Sequence, residues 1–154
     1  MASVTDRFTD FRVLLAEDDP QSINLIRSML NDLGIYQIYS ASNGLKAKIF
    51  LEDAETKDLI NVMLCDWKMP LVSGIELLRH VRLSKPDMPF LMITGQADAE
   101  SVKEAQAAGV TGYIRKPFTV EDLRKKLWIV QSILAVRSTS GHDGKVGGSP
   151  SSTK

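Results

Sequence analysis

Short apolar segments alternate along the chain with longer segments in which apolar residues recur at helical spacing. This alternation constrains the fold more than any other feature of the sequence. The predicted strands cover residues 11–16, 35–40, 59–65, 90–94 and 112–115, and the predicted helices cover residues 23–33, 43–53, 73–84, 98–108 and 119–136. Strands that alternate with helices of this length predict an α/β fold built on a parallel sheet, with right-handed crossover connections.

The periodic segments also predict where the domain begins and ends. They run from residue 11 to residue 136 of a chain of 154 residues, a length that suits one domain. Residues 1–10 are polar and are predicted to be an N-terminal extension. Residues 137–154 are mainly Gly, Ser, Thr and charged residues, which bury too little apolar area to offset the entropy of ordering. They are therefore predicted to be a disordered Gly/Ser-rich tail.

Charge and composition limit the function classes. The chain has 19 basic and 19 acidic residues, so its formal net charge of zero gives no global electrostatic case for nucleic acid or an anionic membrane. The first ten residues lack the apolar segment of a signal peptide, and no apolar run approaches the roughly 18 residues that span a bilayer. Cys65 is the only cysteine of the sequence, which fits a reducing compartment. These features predict a cytoplasmic protein.

Polar residues follow the predicted strands, at the edge where a parallel α/β sheet binds its ligands. They are Glu17, Asp18 and Asp19 after the first strand, Asp66 after the third, Thr94 closing the fourth, and Lys116 after the fifth. Two unit charges 4 Å apart repel by about 4 kcal/mol at an effective dielectric of 20, so the carboxylates need a cation. Lys116 supplies one charge, and Mg²⁺, which prefers oxygen ligands and bridges to phosphate, is the predicted metal. A carboxylate beside such a metal is a candidate nucleophile toward a phosphoryl donor.

Four motifs at these strand ends resemble those of response-regulator receiver domains, in particular the single-domain chemotaxis regulators. The motifs are LLAEDDP, LCDWKMP, MITG and YIRKPF, and the resemblance covers about residues 11–136. It implies a flavodoxin-like, doubly wound (βα)5 fold with a five-stranded parallel sheet in the order 2-1-3-4-5.

The resemblance also implies a magnesium site. Asp66 would accept the phosphoryl group and ligate Mg²⁺ together with Asp18, while Glu17 would act through a metal-bound water and Lys68 through its backbone carbonyl. Asp19, the third acid of the run, is predicted instead to cap the first helix, with a proline at the first helical position.

Further residues are implied to act in the switch. Lys116 would pair with Asp66 and later with a phosphoryl oxygen, Thr94 would hydrogen-bond the phosphoryl group, and Tyr113 would change rotamer. Lys68 and Gln96 lie two residues after the nucleophile and the switch threonine, respectively. In this family these positions flank the path of the hydrolytic water, so both residues are predicted to tune the lifetime of the phosphoryl group.

The function implied is that of a stand-alone receiver domain in a two-component phosphorelay. Its partners would be a sensor histidine kinase or phosphotransfer protein, and a downstream protein bound by the face of helix 4, strand 5 and helix 5. After Val136 too few structured residues are predicted for a DNA-binding module, so neither nucleic acid nor membrane is an expected partner. The domain would not be an enzyme beyond catalysing its own phosphorylation and slow dephosphorylation.

Three other classes fit the sequence less well. A pseudo-receiver, which binds partners without being phosphorylated, usually lacks the acceptor, an acidic residue or the lysine, and all of these are present. A haloacid dehalogenase-type phosphohydrolase places a D-x-D nucleophile motif after its first strand, where this chain has Glu-Asp-Asp. A flavodoxin would need a phosphate loop rich in Ser, Thr and Gly at the same place.

Overall fold

Five strands form one parallel sheet in the computed structural model, which describes residues 8–95 and 99–151, with side chains described up to Val136. The strands are β1 (Arg12–Ala16), β2 (Gln37–Ala41), β3 (Val62–Asp66), β4 (Phe90–Thr94) and β5 (Gly112–Arg115). Their order is β2-β1-β3-β4-β5, and each neighbouring pair is parallel. The predicted fold and strand order are therefore confirmed.

The helices are α1 (Pro20–Asp32), α2 (Gly44–Glu52), α3 (Gly74–Ser84), α4 (Ala99–Ala107) and α5 (Val120–Ser151). The first three begin at side-chain caps, namely Asp19, Asn43 and Ser73, which accept backbone N–H groups of the first helical turn. The assigned bounds of α5 extend past residue 136, whereas the composition predicts a tail over residues 137–154. Because the described side chains stop at Val136, this domain boundary stays a prediction.

Strand β2 begins two residues later than predicted because of how α1 ends. Gly34 adopts a positive φ of 88°, and the N–H of Ile35 donates to the carbonyl of Leu30 at 2.9 Å. Ile35 is fully buried and packs in the core with α1 residues. Its apolar character therefore reflects the C-terminal turn of α1 and not a strand.

Two apolar clusters cover the two faces of the sheet. Alternate residues of the central strands point to opposite faces, so Leu15 and Leu64 pack with α1 and α5, whereas Leu14 and Met63 pack with α2 and α3. Cys65 is buried in the second cluster, where it is a small core residue. Helices on both faces leave the carboxyl edge of the sheet open for a site.

The core also includes an aromatic residue from the predicted N-terminal extension. Phe8 is fully buried, and its ring centroid lies 5.2 Å from that of Phe11. Residues 1–7, 96–98 and 152–154 are not described, so Gln96 lies outside the described residues. Within the described ranges, none of the helices combines the length and the apolar character that crossing a bilayer requires.

Candidate functional site

Four strand ends bring the predicted site residues to one edge of the sheet. Ala16 of β1 pairs with Cys65, Asp66 of β3 pairs with Ile93, and Thr94 of β4 pairs with Arg115, so the strands end at nearly the same level. Asp66 is the last residue of β3 and not the residue after it, because the N–H of Trp67 still bonds to the Ile93 carbonyl at 2.8 Å.

Three carboxylates converge at this edge. Glu17, Asp18 and Asp66 each offer an oxygen, and these three oxygens lie within 4.8 Å of one another. Glu17 is 1% exposed and Asp66 is 8% exposed, while Asp18 is exposed to solvent. The set is buried on one side and open on the other. Carboxylate oxygens of this kind suit a hard divalent cation that keeps some of its water, so the donor set fits Mg²⁺.

Lys116 supplies the neighbouring positive charge. Its Nζ donates to Glu17 Oε1 at 3.3 Å and lies 3.7 Å from Asp66 Oδ2. The sequence predicts a pair with Asp66, and the structure adds Glu17 as the nearer partner. The Lys116–Pro117 peptide bond is cis, and the N–H of Lys116 donates to the Thr94 carbonyl at 2.7 Å. Lys116 is thus placed between the two buried carboxylates.

Burial controls the ionisation of these two acids. Loss of solvation raises the pKa of Glu17, and the charge of Asp66 raises it further, whereas the N–H of Asp19 and the ammonium of Lys116 lower it. Loss of solvation likewise raises the pKa of Asp66, against the lowering effects of Lys116 and of the Lys68 backbone N–H. Without a cation the site would hold its negative charge at a free-energy cost, which a divalent ion would offset.

Asp19 has a separate role at the start of α1. Its Oδ2 accepts hydrogen bonds from the N–H of Ser22 at 3.1 Å and from the Ser22 hydroxyl at 2.9 Å. These bonds lower the pKa of Asp19. The predicted N-cap role is confirmed, and Asp19 lies outside the group of three converging carboxylates.

The loop between β3 and α3, residues 67–73, forms one wall of the site. With Asp18, it lines a cavity of about 430 Å³ through Trp67, Lys68, Met69, Pro70 and Ser73. The Lys68 side chain is exposed at this cavity, and its backbone N–H lowers the pKa of the Asp66 carboxyl. Trp67 is half-buried directly after Asp66. The loop therefore places both a candidate metal ligand and a fluorescent side chain at the site.

The two predicted switch residues, Thr94 and Tyr113, lie on the neighbouring strands β4 and β5. Thr94 is 6% exposed at the end of β4, and Tyr113 is half-buried on β5. The Nζ of Lys126 on α5 lies 5.7 Å from the centroid of the Tyr113 ring, within cation–π range. The sequence places Lys126 in a basic run of the last helix but does not predict this contact, because it depends on how α5 packs against β5.

The motifs and the geometry of the site agree with the family model and the relatives that this chain matches. A family model described as the response regulator receiver domain matches residues 13–128. The chemotaxis protein CheY-3 of Vibrio cholerae is 35% identical over 120 residues, which cover 77% of this chain and 89% of that protein. The chemotaxis protein CheY of Pseudomonas aeruginosa is 34% identical over 118 residues, which cover 75% of this chain and 92% of that protein.

Solved structures of the same architecture are also similar. A response regulator receiver domain protein from Clostridium thermocellum matches with a TM-score of 0.71 and 28% identity, covering 84% of this chain and 98% of that one. The receiver domain of a Pseudomonas aeruginosa sensor histidine kinase matches with a TM-score of 0.66 and 25% identity, covering 77% of this chain and 97% of that one. That structure contains a magnesium ion coordinated in its active site cleft.

Proposed function

Because this chain belongs to the response regulator receiver domain family, we propose that it is a phosphorylatable switch of a two-component phosphorelay, with Asp66 as its phosphoacceptor. Receiver domains are signalling domains and not enzymes in the usual sense. The observation that carries the proposal is the convergence of Glu17, Asp18 and Asp66, with Lys116 between the two buried carboxylates.

The proposal includes a Mg²⁺ cofactor. Asp18 and Asp66 would hold it directly, Glu17 would hold it through a water, and the backbone carbonyl of Lys68 would complete the protein ligands. When bound, the ion supplies positive charge that neutralises phosphoryl oxygens and the clustered carboxylates. Its fit is supported by the donor chemistry of the site and by the magnesium-bound receiver domain to which the chain is similar.

In the proposed reaction an Asp66 carboxylate oxygen forms a bond to the phosphorus of a phosphohistidine. The bond between phosphorus and the histidine nitrogen breaks, and the nitrogen keeps the electron pair. The donor would belong to a sensor histidine kinase or a phosphotransfer protein. Lys116 would balance charge on the phosphoryl oxygens, and Thr94 would donate a hydrogen bond to one of them. Positioning and charge neutralisation supply most of the rate in reactions of this class.

The phosphoryl group adds roughly −1.5 to −2 charge and three acceptor oxygens beside Thr94 and Lys116. In the proposed switch Thr94 moves toward these oxygens, and Tyr113 takes up the space that it leaves. The face of α4, β5 and α5 then presents a different surface to a downstream protein. The proposal assigns no role to nucleic acid or membrane, and it places the protein in the cytoplasm with its kinase.

The first test of the function is magnesium binding and phosphorylation of the wild-type protein. Trp67 borders the candidate metal site, so its fluorescence is expected to change saturably on Mg²⁺ titration in a Trp128→Phe background. Acetyl phosphate with Mg²⁺ is expected to add one phosphoryl group per chain, measured by intact-mass spectrometry, and chelation of the metal should prevent it. A pseudo-receiver would give no phosphorylated species under either condition, and that outcome would contradict the proposal.

A second prediction concerns the lifetime of the phosphoryl group. Lys68 is exposed at the cavity beside Asp66, where its ammonium can pair with phosphoryl oxygens and obstruct water. Lys68→Ala is expected to speed dephosphorylation by about two- to fivefold, since exposed ion pairs contribute about 0.2–1 kcal/mol. Gln96 is proposed to act at the same step. The measurement is loss of radiolabel after removal of donor, with the exposed Lys46→Ala on α2 as control. An unchanged rate for Lys68→Ala would remove this role.

A further inference from the structure

The loop over residues 67–73 packs against two glycines that leave no room for a side chain. A Cβ built on Gly44, the first residue of α2, would lie 1.8 Å from the carbonyl oxygen of Val72 and 2.6 Å from its carbonyl carbon. A Cβ built on Gly74 would lie 2.4 Å from the carbonyl oxygen of Asp66, at the end of β3, and 3.0 Å from the Cα of Trp67, the first residue of the loop. These contacts are all with backbone, which cannot rotate away as a side chain can. The loop is therefore fixed against α2 at one point and against α3 at the other.

Between these points the loop contains a strained turn. The N–H of Val72 donates to the Pro70 carbonyl at 2.8 Å, and Leu71 between them has a φ of 73°. A three-residue turn with a positive φ at its centre is rare, and leucine has no preference for that region. The Leu71 side chain is 72% exposed, so its own burial does not stabilise the turn. The contact of the Val72 backbone with Gly44 is one feature that can hold it, beside the hydrogen bond from the Gly74 N–H to the Trp67 carbonyl at 2.9 Å.

We propose that Gly44 is a positioning residue for the phosphorylation site, although it lies on α2 and contributes no group to it. By admitting the Val72 carbonyl against α2, Gly44 fixes the loop so that Lys68 stays on the wall of the cavity beside Asp66, with its carbonyl available to a metal. This inference rests on the proposed function, because it assigns Lys68 to the Mg²⁺ site. It adds to the charged residues of the site a contact between helix and loop, made by the uncharged pair Gly44 and Val72.

Gly44→Ala tests the proposal. Its methyl group would displace the Val72 backbone, and because Val72 lies in a loop the core should stay folded by circular dichroism. Mg²⁺ affinity, read from Trp67 fluorescence in the Trp128→Phe background, is expected to weaken by about 10- to 100-fold, as for other residues that orient metal ligands. In metal-free protein the Lys68 amide is expected to exchange its hydrogen faster than in wild type, as measured by NMR.

Two controls separate positioning from general stability. Ala47→Gly weakens the same helix one turn later without meeting Val72, and it should leave Mg²⁺ affinity within about twofold of wild type. Leu71→Gly relieves the strained φ, and it should also leave the affinity within about twofold, because the contact with Gly44 and not the stiffness of the turn holds the loop.

The outcomes decide between the two proposals. A folded Gly44→Ala variant with wild-type Mg²⁺ affinity and wild-type hydrogen exchange at the Lys68 amide would overturn the proposed role of Gly44. A Gly44→Ala variant that does not fold would also overturn it, because the contact with Val72 would then be needed for folding and not specifically for the site. A loss of affinity in Leu71→Gly as large as in Gly44→Ala would overturn it too. If wild type itself does not respond to Mg²⁺, the proposed function fails, and Lys68 exchange in metal-free protein still decides whether Gly44 holds the loop.

Discussion

Asp66→Asn is expected to abolish phosphorylation by acetyl phosphate, lowering the rate of label incorporation by at least about a thousandfold, as loss of a catalytic nucleophile does. Asparagine has nearly the shape of aspartate but offers no carboxylate oxygen to attack phosphorus. Asp66 is 8% exposed at the end of β3, so the near-isosteric change should keep the strand pairing with β4. The measurement is time-resolved incorporation of radiolabel from acetyl phosphate with Mg²⁺.

The matched control is Asp32→Asn, which makes the same chemical change at an exposed aspartate that ends α1. It should be labelled at the wild-type rate. Tandem mass spectrometry of the labelled wild type should locate the modification on the peptide that contains Asp66. If Asp66→Asn is labelled as fast as wild type, the phosphoacceptor is another residue and the assignment of the site is wrong.

The sequence predicts the strands best where an apolar run stands between clear breaks. The predicted bounds of β4 and β5 agree with the structure, because Pro89 precedes the first and Gly112 begins the second. The bounds of β2 were less accurate, because Ile35 is apolar for a tertiary reason: it fills the core beneath the end of α1. The sequence gives no sign that Phe8 belongs to the domain, because a single aromatic residue carries no periodicity, yet Phe8 is fully buried.

In the candidate site, too, some features could be predicted from local sequence and others depend on tertiary contacts. Its charged residues could be predicted because parallel strands deliver the residues at their carboxyl ends to one edge. The contacts among them could not, since they depend on distances: Lys116 lies nearer to Glu17 than to Asp66. The contact between Gly44 and Val72 joins the start of α2 to a loop that is distant in sequence, and a leucine at position 71 gives no sign of a positive φ.

Replacement of Lys116 by methionine is expected to have the largest effect on the stability of the metal-free protein. Methionine has a similar length but no charge, so Glu17 and Asp66 would stay together without their cation. Removing one partner of a fully buried ion pair costs about 3–5 kcal/mol. Because the Lys116 side chain is 30% exposed, we expect a smaller loss of about 2 kcal/mol in the free energy of unfolding at pH 7.

The pH dependence identifies the cause of that loss. Burial raises the pKa of both Glu17 and Asp66 in the folded protein, so the folded state binds more protons than the unfolded state between the ordinary and the raised values. The contribution of these two groups to the free energy of unfolding therefore falls as pH rises through that window. Lys116 lowers both pKa values, so its removal should raise them further and widen the window. The difference between Lys116→Met and wild type should thus be small near pH 4 and grow toward pH 7.

Urea denaturation in the presence of a chelator, repeated across this pH range, measures the difference, with Lys125→Met on the exposed face of α5 as the control. Mg²⁺ should restore much of the stability of Lys116→Met at pH 7, because it replaces the missing charge beside the same carboxylates. A loss of equal size at pH 4 and pH 7 would instead mean that the packing of the Lys116 side chain matters and its charge does not. In that case the two buried carboxylates would not repel each other as their burial and spacing imply. The main physical argument for a divalent cation at this edge of the sheet would then be lost.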